Sequence, residues 1–189
     1  MLDQLENPLQ YRQLSLDPSD EHLNIVQAWR IWGDKWLNFG QISQEIEDWV
    51  KGLWAKPGVA YGNVKTHKPN NLLRLITSCR GTAIERLSEF TEFYLKPLAQ
   101  KLPSFIKDTA HLLQKIQQVN NTLSPLPPHA LLVSWDIVSM FPNIDNKLGL
   151  TAVKCALDAR EIQVPATDCF LEAVELCLKH LNSQFVDNH

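Results

Sequence analysis

The sequence predicts a helix-rich α+β fold, and three observations predict it. Apolar residues recur at helical spacing in most of the chain. One pair of short β-like runs, 59–64 and 72–77, brackets a turn. One further apolar run, Leu131-Leu132-Val133, is too short for a helix of its own and leads to a single carboxylate at Asp136. At 189 residues the chain is long enough for one sizeable core, or for one domain with a helical extension.

The elements follow in order. Asp17-Pro18-Ser19-Asp20 reads as a helix start, with Asp as cap, Pro in the first turn and an acid near the positive end. Leu23, Val26, Trp29, Trp32 and Trp36 then fall close to one face, and tryptophans at that spacing read as core. Ile42, Ile46, Trp49 and Leu53 continue at spacings of four, three and four, so residues 1–54 form a helical N-terminal region. Pro57-Gly58 breaks the pattern. A hairpin follows over 59–78, turning at Lys68-Pro69-Asn70-Asn71. Thr82-Ala83-Ile84-Glu85 has capping-box spacing and opens a helix to about Leu95, where Lys96-Pro97 disturbs its end. A second helix spans Asp108 to Val119, completing a helical stretch over 83–119. Pro125-Leu126-Pro127-Pro128 is a stiff lead into a strand over 130–137. Two helices over 146–160 and 167–181 and a beginning strand at 182–186 complete the chain.

Composition, 44% apolar and 21% charged, is that of a globular protein. No apolar run approaches the roughly 20 residues of a membrane span and no secretion signal opens the chain, so an intracellular protein, nuclear or cytoplasmic and not secreted, is expected. Cys79, Cys155, Cys169 and Cys177 show no CxxC and no His at ligand spacing, which reads as reduced, structural thiols. The net charge of −3 hides an asymmetry. Residues 1–50 carry three Lys/Arg against nine Asp/Glu, 51–115 eleven against four, and 116–189 four against eight. A basic middle between acidic flanks suits a phosphate-bearing partner, although a solvated basic face has the same charge.

Two sets of residues carry chemistry. A strand ending in an acid fixes a carboxylate at a cleft edge, as a metal ligand needs, although the same pattern also caps turns and helices. On the hairpin, Lys65 and His67 alternate onto one face, and Arg74 sits on the partner strand. Two cations on one hairpin face make a triphosphate clamp, Arg by its planar fork and Lys as a point charge; a solvated hairpin is the plainer alternative.

The run Val64-Lys65-Thr66-His67-Lys68-Pro69 with Arg74-Leu75-Ile76-Thr77-Ser78 resembles the fingers hairpin of retroelement reverse transcriptases of the Penelope-like kind. Leu87-Ser88-Glu89-Phe90, Leu95-Lys96-Pro97-Leu98 and Pro103-Ser104-Phe105-Ile106-Lys107-Asp108-Thr109 resemble the family's next blocks. Leu132-Val133-Ser134-Trp135-Asp136-Ile137-Val138-Ser139-Met140-Phe141-Pro142-Asn143-Ile144 resembles its first catalytic palm block. The matches run collinearly over about residues 55–189.

The resemblance implies an incomplete right-hand polymerase fold, fingers plus partial palm, preceded by a helical extension at 1–54. Its activity would be RNA-directed DNA synthesis. The partners implied are an RNA template, a DNA primer and dNTPs, with no membrane. The cofactor implied is Mg2+, or Mn2+ in its place. Asp136 matches the aspartate that binds both ions of nucleotidyl transfer, with the Ile137 carbonyl assisting the second ion. Phe141 matches the aromatic that stacks beneath the incoming sugar and excludes a 2′-hydroxyl, and Lys65 and Arg74 match the cations that hold the triphosphate. The family's glycine-containing block and its YxDD-like block do not occur within the 189 residues. The expectation is therefore a fragment, lacking the rest of the palm and the thumb, which by itself does not polymerise. The alternative is a non-catalytic nucleic-acid-binding module, or a protein-interaction module docking through its tryptophan-rich helices.

Overall fold

A computed structural model describes residues 13, 18–51, 56–64, 66, 73–123, 125–137, 140–181 and 183–185. Among them the order is α1 (Pro18–Asn38), α2 (Gln44–Lys51), β1 (Gly58–Val64), β2 (Leu73–Ser78), α3 (Glu85–Gln100), α4 (Thr109–Leu123), α5 (Met140–Asn143), α6 (Asn146–Asp158), α7 (Thr167–Lys179) and β3 (Ser183–Phe185). The α+β, helix-rich class is what the structure has.

Helix α1 starts at Pro18, whose fixed φ suits a first helical position, and carries Asp20 and Glu21 in its first turn. The cap expected at Asp17 lies outside the described residues. Trp29, Trp32 and Trp36 face inward, and each buried indole N–H finds an acceptor, as a polar atom taken from water must. Trp29 Nε1 donates to the Ala83 carbonyl at 2.6 Å, and Trp32 Nε1 to the Cys169 carbonyl at 3.1 Å. Trp36 Nε1 donates to Glu172 Oε2 at 2.9 Å, and the other oxygen of that carboxylate pairs with Lys35. The core continues through Leu87 and Phe90 of α3 to Phe170 and Ala173 of α7. Phe90 stacks on Phe170 at 5.3 Å between ring centroids, and Trp32 meets Phe90 edge-on at 5.4 Å. The N-terminal helices therefore share one core with α3, α6 and α7. The sequence pattern changes near residue 54, but the packing does not break there.

The turn before α3 differs from the expected capping box. The Thr82 hydroxyl donates back to the Cys79 carbonyl at 2.6 Å, and the Glu85 carboxylate accepts from Gly81 N at 2.8 Å. Gly81 has φ +75°, a backbone only glycine adopts cheaply, so the carboxylate reaches one residue further back and the helix starts at Glu85. Pro97 does not end α3, which runs on to Gln100. A proline in the last turn forfeits one backbone hydrogen bond there, which costs far less than a mid-helix break.

Strands β1 and β2 pair antiparallel from Val59↔Ser78 to Val64↔Leu73, as the sequence predicts. Strand β3 adds parallel to the other side of β1, Gly58↔Ser183 to Ala60↔Phe185, so β1 is central. The strand expected over 130–137 is not formed. Residues 131–137 have no strand partner and, among the described residues, no backbone hydrogen bond to another segment. Leu131, Leu132 and Trp135 are 86, 101 and 89% exposed. A β-like sequence needs a neighbour to pair with before it becomes a strand.

Candidate nucleic-acid interface

The pleat sorts the hairpin into two faces. On β1, Gly58 and Ala60 turn inward, while Val59, Tyr61 and Asn63 stand exposed. Cross-strand partners share a face, so Ile76 lies beside Tyr61 and Arg74 beside Asn63. The result is an open sheet surface carrying an aromatic ring at one position and, at the next position on the same face, an amide opposite a guanidinium. The Arg74 side chain is exposed and, among the described residues, makes no ion pair or hydrogen bond. At the base of the hairpin the Lys56 N–H donates to the Gly81 carbonyl at 3.0 Å, bringing the exposed Lys56 and Arg80 to its foot. Cations thus stand at both ends of the hairpin.

Of the residues the resemblance singles out, Arg74 alone is placed on a regular element with its side chain described. Lys65 and His67 lie outside the described residues. Asp136 and Ile137 lie on the exposed, unpaired segment, and Phe141 falls within the short helix α5, its side chain not described. Among the described residues Asp136 has no side-chain partner, and no hydrogen bond or ion pair joins it to Arg74.

The metal that the resemblance implies can be tested against the donors present. Two divalent ions need several carboxylates arranged around them. Among the described residues no three His, Cys, Asp or Glu side chains come together in a way that could hold an ion. Asp145 caps α6 by accepting from Leu148 N at 2.8 Å, and Asp158 pairs with Lys154, which holds its carboxyl below the usual range. Among the described residues, then, no two-ion site is formed.

The thiols offer no nucleophile in the core. Burial pushes Cys169 up to about 12 and Cys177 up to about 11, leaving both protonated at neutral pH. Of the tryptophans on the N-terminal helices, Trp29, Trp32 and Trp36 are buried in the core, whereas Trp49 of α2 stays exposed beneath the Arg86 guanidinium, and Trp54 lies outside the described residues.

Sequence reasoning missed Tyr61, Lys56 and Arg80. The signal for Tyr61 was the period of two read backward from Asn63, which sets it on the same exposed face. Lys56 and Arg80 are brought together by the hairpin's closure, which no local pattern announces. Among the described residues, no helix is long and apolar enough to cross a membrane. No family model, no curated protein and no solved structure matches the chain.

Proposed function

We propose that this chain binds a nucleic-acid backbone through the open face of the β1–β2 hairpin, as the fingers and first palm portion of a retroelement reverse transcriptase. The observation that supports it most is the row Tyr61, Asn63, Arg74 on one exposed sheet face, with Lys56 and Arg80 at its foot. A ring stacks on bases without regard to sequence, and free cations neutralise phosphates. In the parent enzyme, Lys65 and Arg74 would grip the incoming triphosphate, Asp136 with the Ile137 carbonyl would hold Mg2+ or Mn2+, and Phe141 would lie under the sugar. The reaction would be RNA-templated extension of a DNA primer with dNTPs.

For the isolated chain the reading is binding without synthesis. A single exposed carboxylate does not organise two ions. Fluorescence anisotropy with a labelled RNA–DNA template–primer is expected to show affinity falling steeply between about 50 and 200 mM salt. Arg74→Ala should weaken binding and lower the salt slope by about one, and Tyr61→Ala should weaken it with the slope unchanged. Salt-independent affinity, or an unaltered Arg74→Ala variant, overturns the binding surface. Primer extension by this chain would overturn the inactive reading. The polymerase assignment has its own test in the transcript read past the codon for His189. A frame continuing into a glycine block and a YxDD-like block supports it, and a stop there leaves the binding module alone.

A further inference from the structure

Trp49 stays 38% exposed on α2, while Ile46 and Val50 take the inward positions of that helix. The ring is nevertheless held in place. The Arg86 guanidinium of α3 donates to the Trp49 carbonyl and stands 5.6 Å from the ring centroid. A cation at that range is drawn to one ring face, which leaves the rest of the indole as its exposed part. The same end of α3 carries the foot of the hairpin. Glu85, next to Arg86, accepts from Gly81 N, and the Gly81 carbonyl accepts from Lys56 N. A Cβ on Gly81 would stand 3.1 Å from Lys56 Cε, so the bare glycine lets the lysine stem cross the turn that carries Arg80.

We propose that Trp49 stacks an unpaired nucleobase of the strand whose phosphates Lys56 and Arg80 neutralise. The inference rests on the nucleic-acid reading and adds to it a base-binding position on α2, outside the hairpin. Charge argues for a base tethered to phosphate. Arg86, Lys56 and Arg80 stand on the α3 and hairpin side of Trp49, whereas α2 itself exposes Glu45 and Asp48. A backbone drawn to the cations can lay a neutral base on the indole, while the acids keep its phosphates off α2. A base inside a duplex is already stacked on both faces, so the occupant is single-stranded. An indole accepts any base, because every base has a π-face, and no sequence preference is expected.

The test is anisotropy of the full chain with a fluorescein-labelled oligouridylate of about 20 nucleotides at about 50 mM salt. Trp49→Ala should weaken binding at least about fivefold with the salt slope unchanged, and Trp49→Phe should keep most of the affinity. An abasic probe of equal length retains the phosphates, so wild type and Trp49→Ala should bind it alike. The contact can also be read without any variant. Irradiating wild type with the same probe carrying 5-iodouracil should give an adduct that mass spectrometry maps to Trp49. Unchanged affinity in Trp49→Ala, an equal loss on the abasic probe, or crosslinking that never reaches Trp49 overturns the inference. If Arg74→Ala still weakens binding, those results leave the hairpin surface standing. A wild type that ignores the probe, or binds it without dependence on salt, overturns the hairpin surface and this inference together.

Discussion

Helices α1 and α4 are read from sequence by the same rule and end in opposite situations. In α1 the apolar stripe of Trp29, Trp32 and Trp36 is buried against α3 and α7. In α4 the stripe of Leu112, Ile116, Val119 and Leu123 faces outward, as do Leu131, Leu132, Val133, Trp135 and Ile137 further along. Periodicity therefore predicts an element and its apolar side, but not what covers that side. In α1 the covering groups are supplied 54 to 137 positions away, by the Ala83 carbonyl, by Phe90 of α3 and by the Cys169 carbonyl and Glu172 of α7.

The largest expected effect tests that contrast directly. Phe170 is fully buried between Phe90 and Tyr94, and Phe170→Ala leaves a cavity among aromatic rings. A loss of about 3–5 kcal/mol is expected in urea unfolding. Leu132→Ala, on a side chain that touches almost nothing, should stay within about 0.5 kcal/mol. Equal losses at the two positions would mean that the 131–137 segment is packed in solution, and the contrast would fail.

Thiol reactivity sharpens the same division at intermediate size. Cys155 is exposed on α6, whereas Cys169 is buried on α7 and its thiol is pushed up to about 12. With a disulfide reagent near pH 8, Cys155 should react at least about tenfold faster than Cys169, which needs the core to open first. Urea just below the unfolding transition should narrow the gap. Comparable rates in native buffer would place the core in rapid local opening.

How much was legible follows from which interactions are local. Both hairpin strands, the α1 tryptophan stripe and helices α6 and α7 were readable, because spacing and breakers within about ten residues decide them. The start of α3 was misplaced because Gly81 adopts a left-handed backbone and draws the Glu85 carboxylate one residue further back. The 130–137 strand was misread because strand formation depends on a neighbour, and none pairs with it among the described residues. The candidate site divides along the same line. Arg74 and its face follow from the pleat, whereas any partner for Asp136 would have to arrive from elsewhere in the fold.

The smallest expected effect lies at the C-terminal end of α7, on the packed side of the comparison. His180 is partly buried with its Nδ1 unpartnered, and burial, then the neighbouring Lys179, lower its pKa, while Glu21 of α1 acts in the other direction. A histidine lowered on folding takes up its proton more readily unfolded than folded. Stability is therefore full above the unfolded value near 6.5 and falls as pH drops through that value toward the lowered folded one. Urea midpoints measured from pH 7.5 down to about 5 should decline for the wild type and decline less for His180→Gln. Identical slopes would mean that the ring charges freely in the folded protein. The end of α7 would then be open to water although its middle, at Phe170 and Ala173, is sealed.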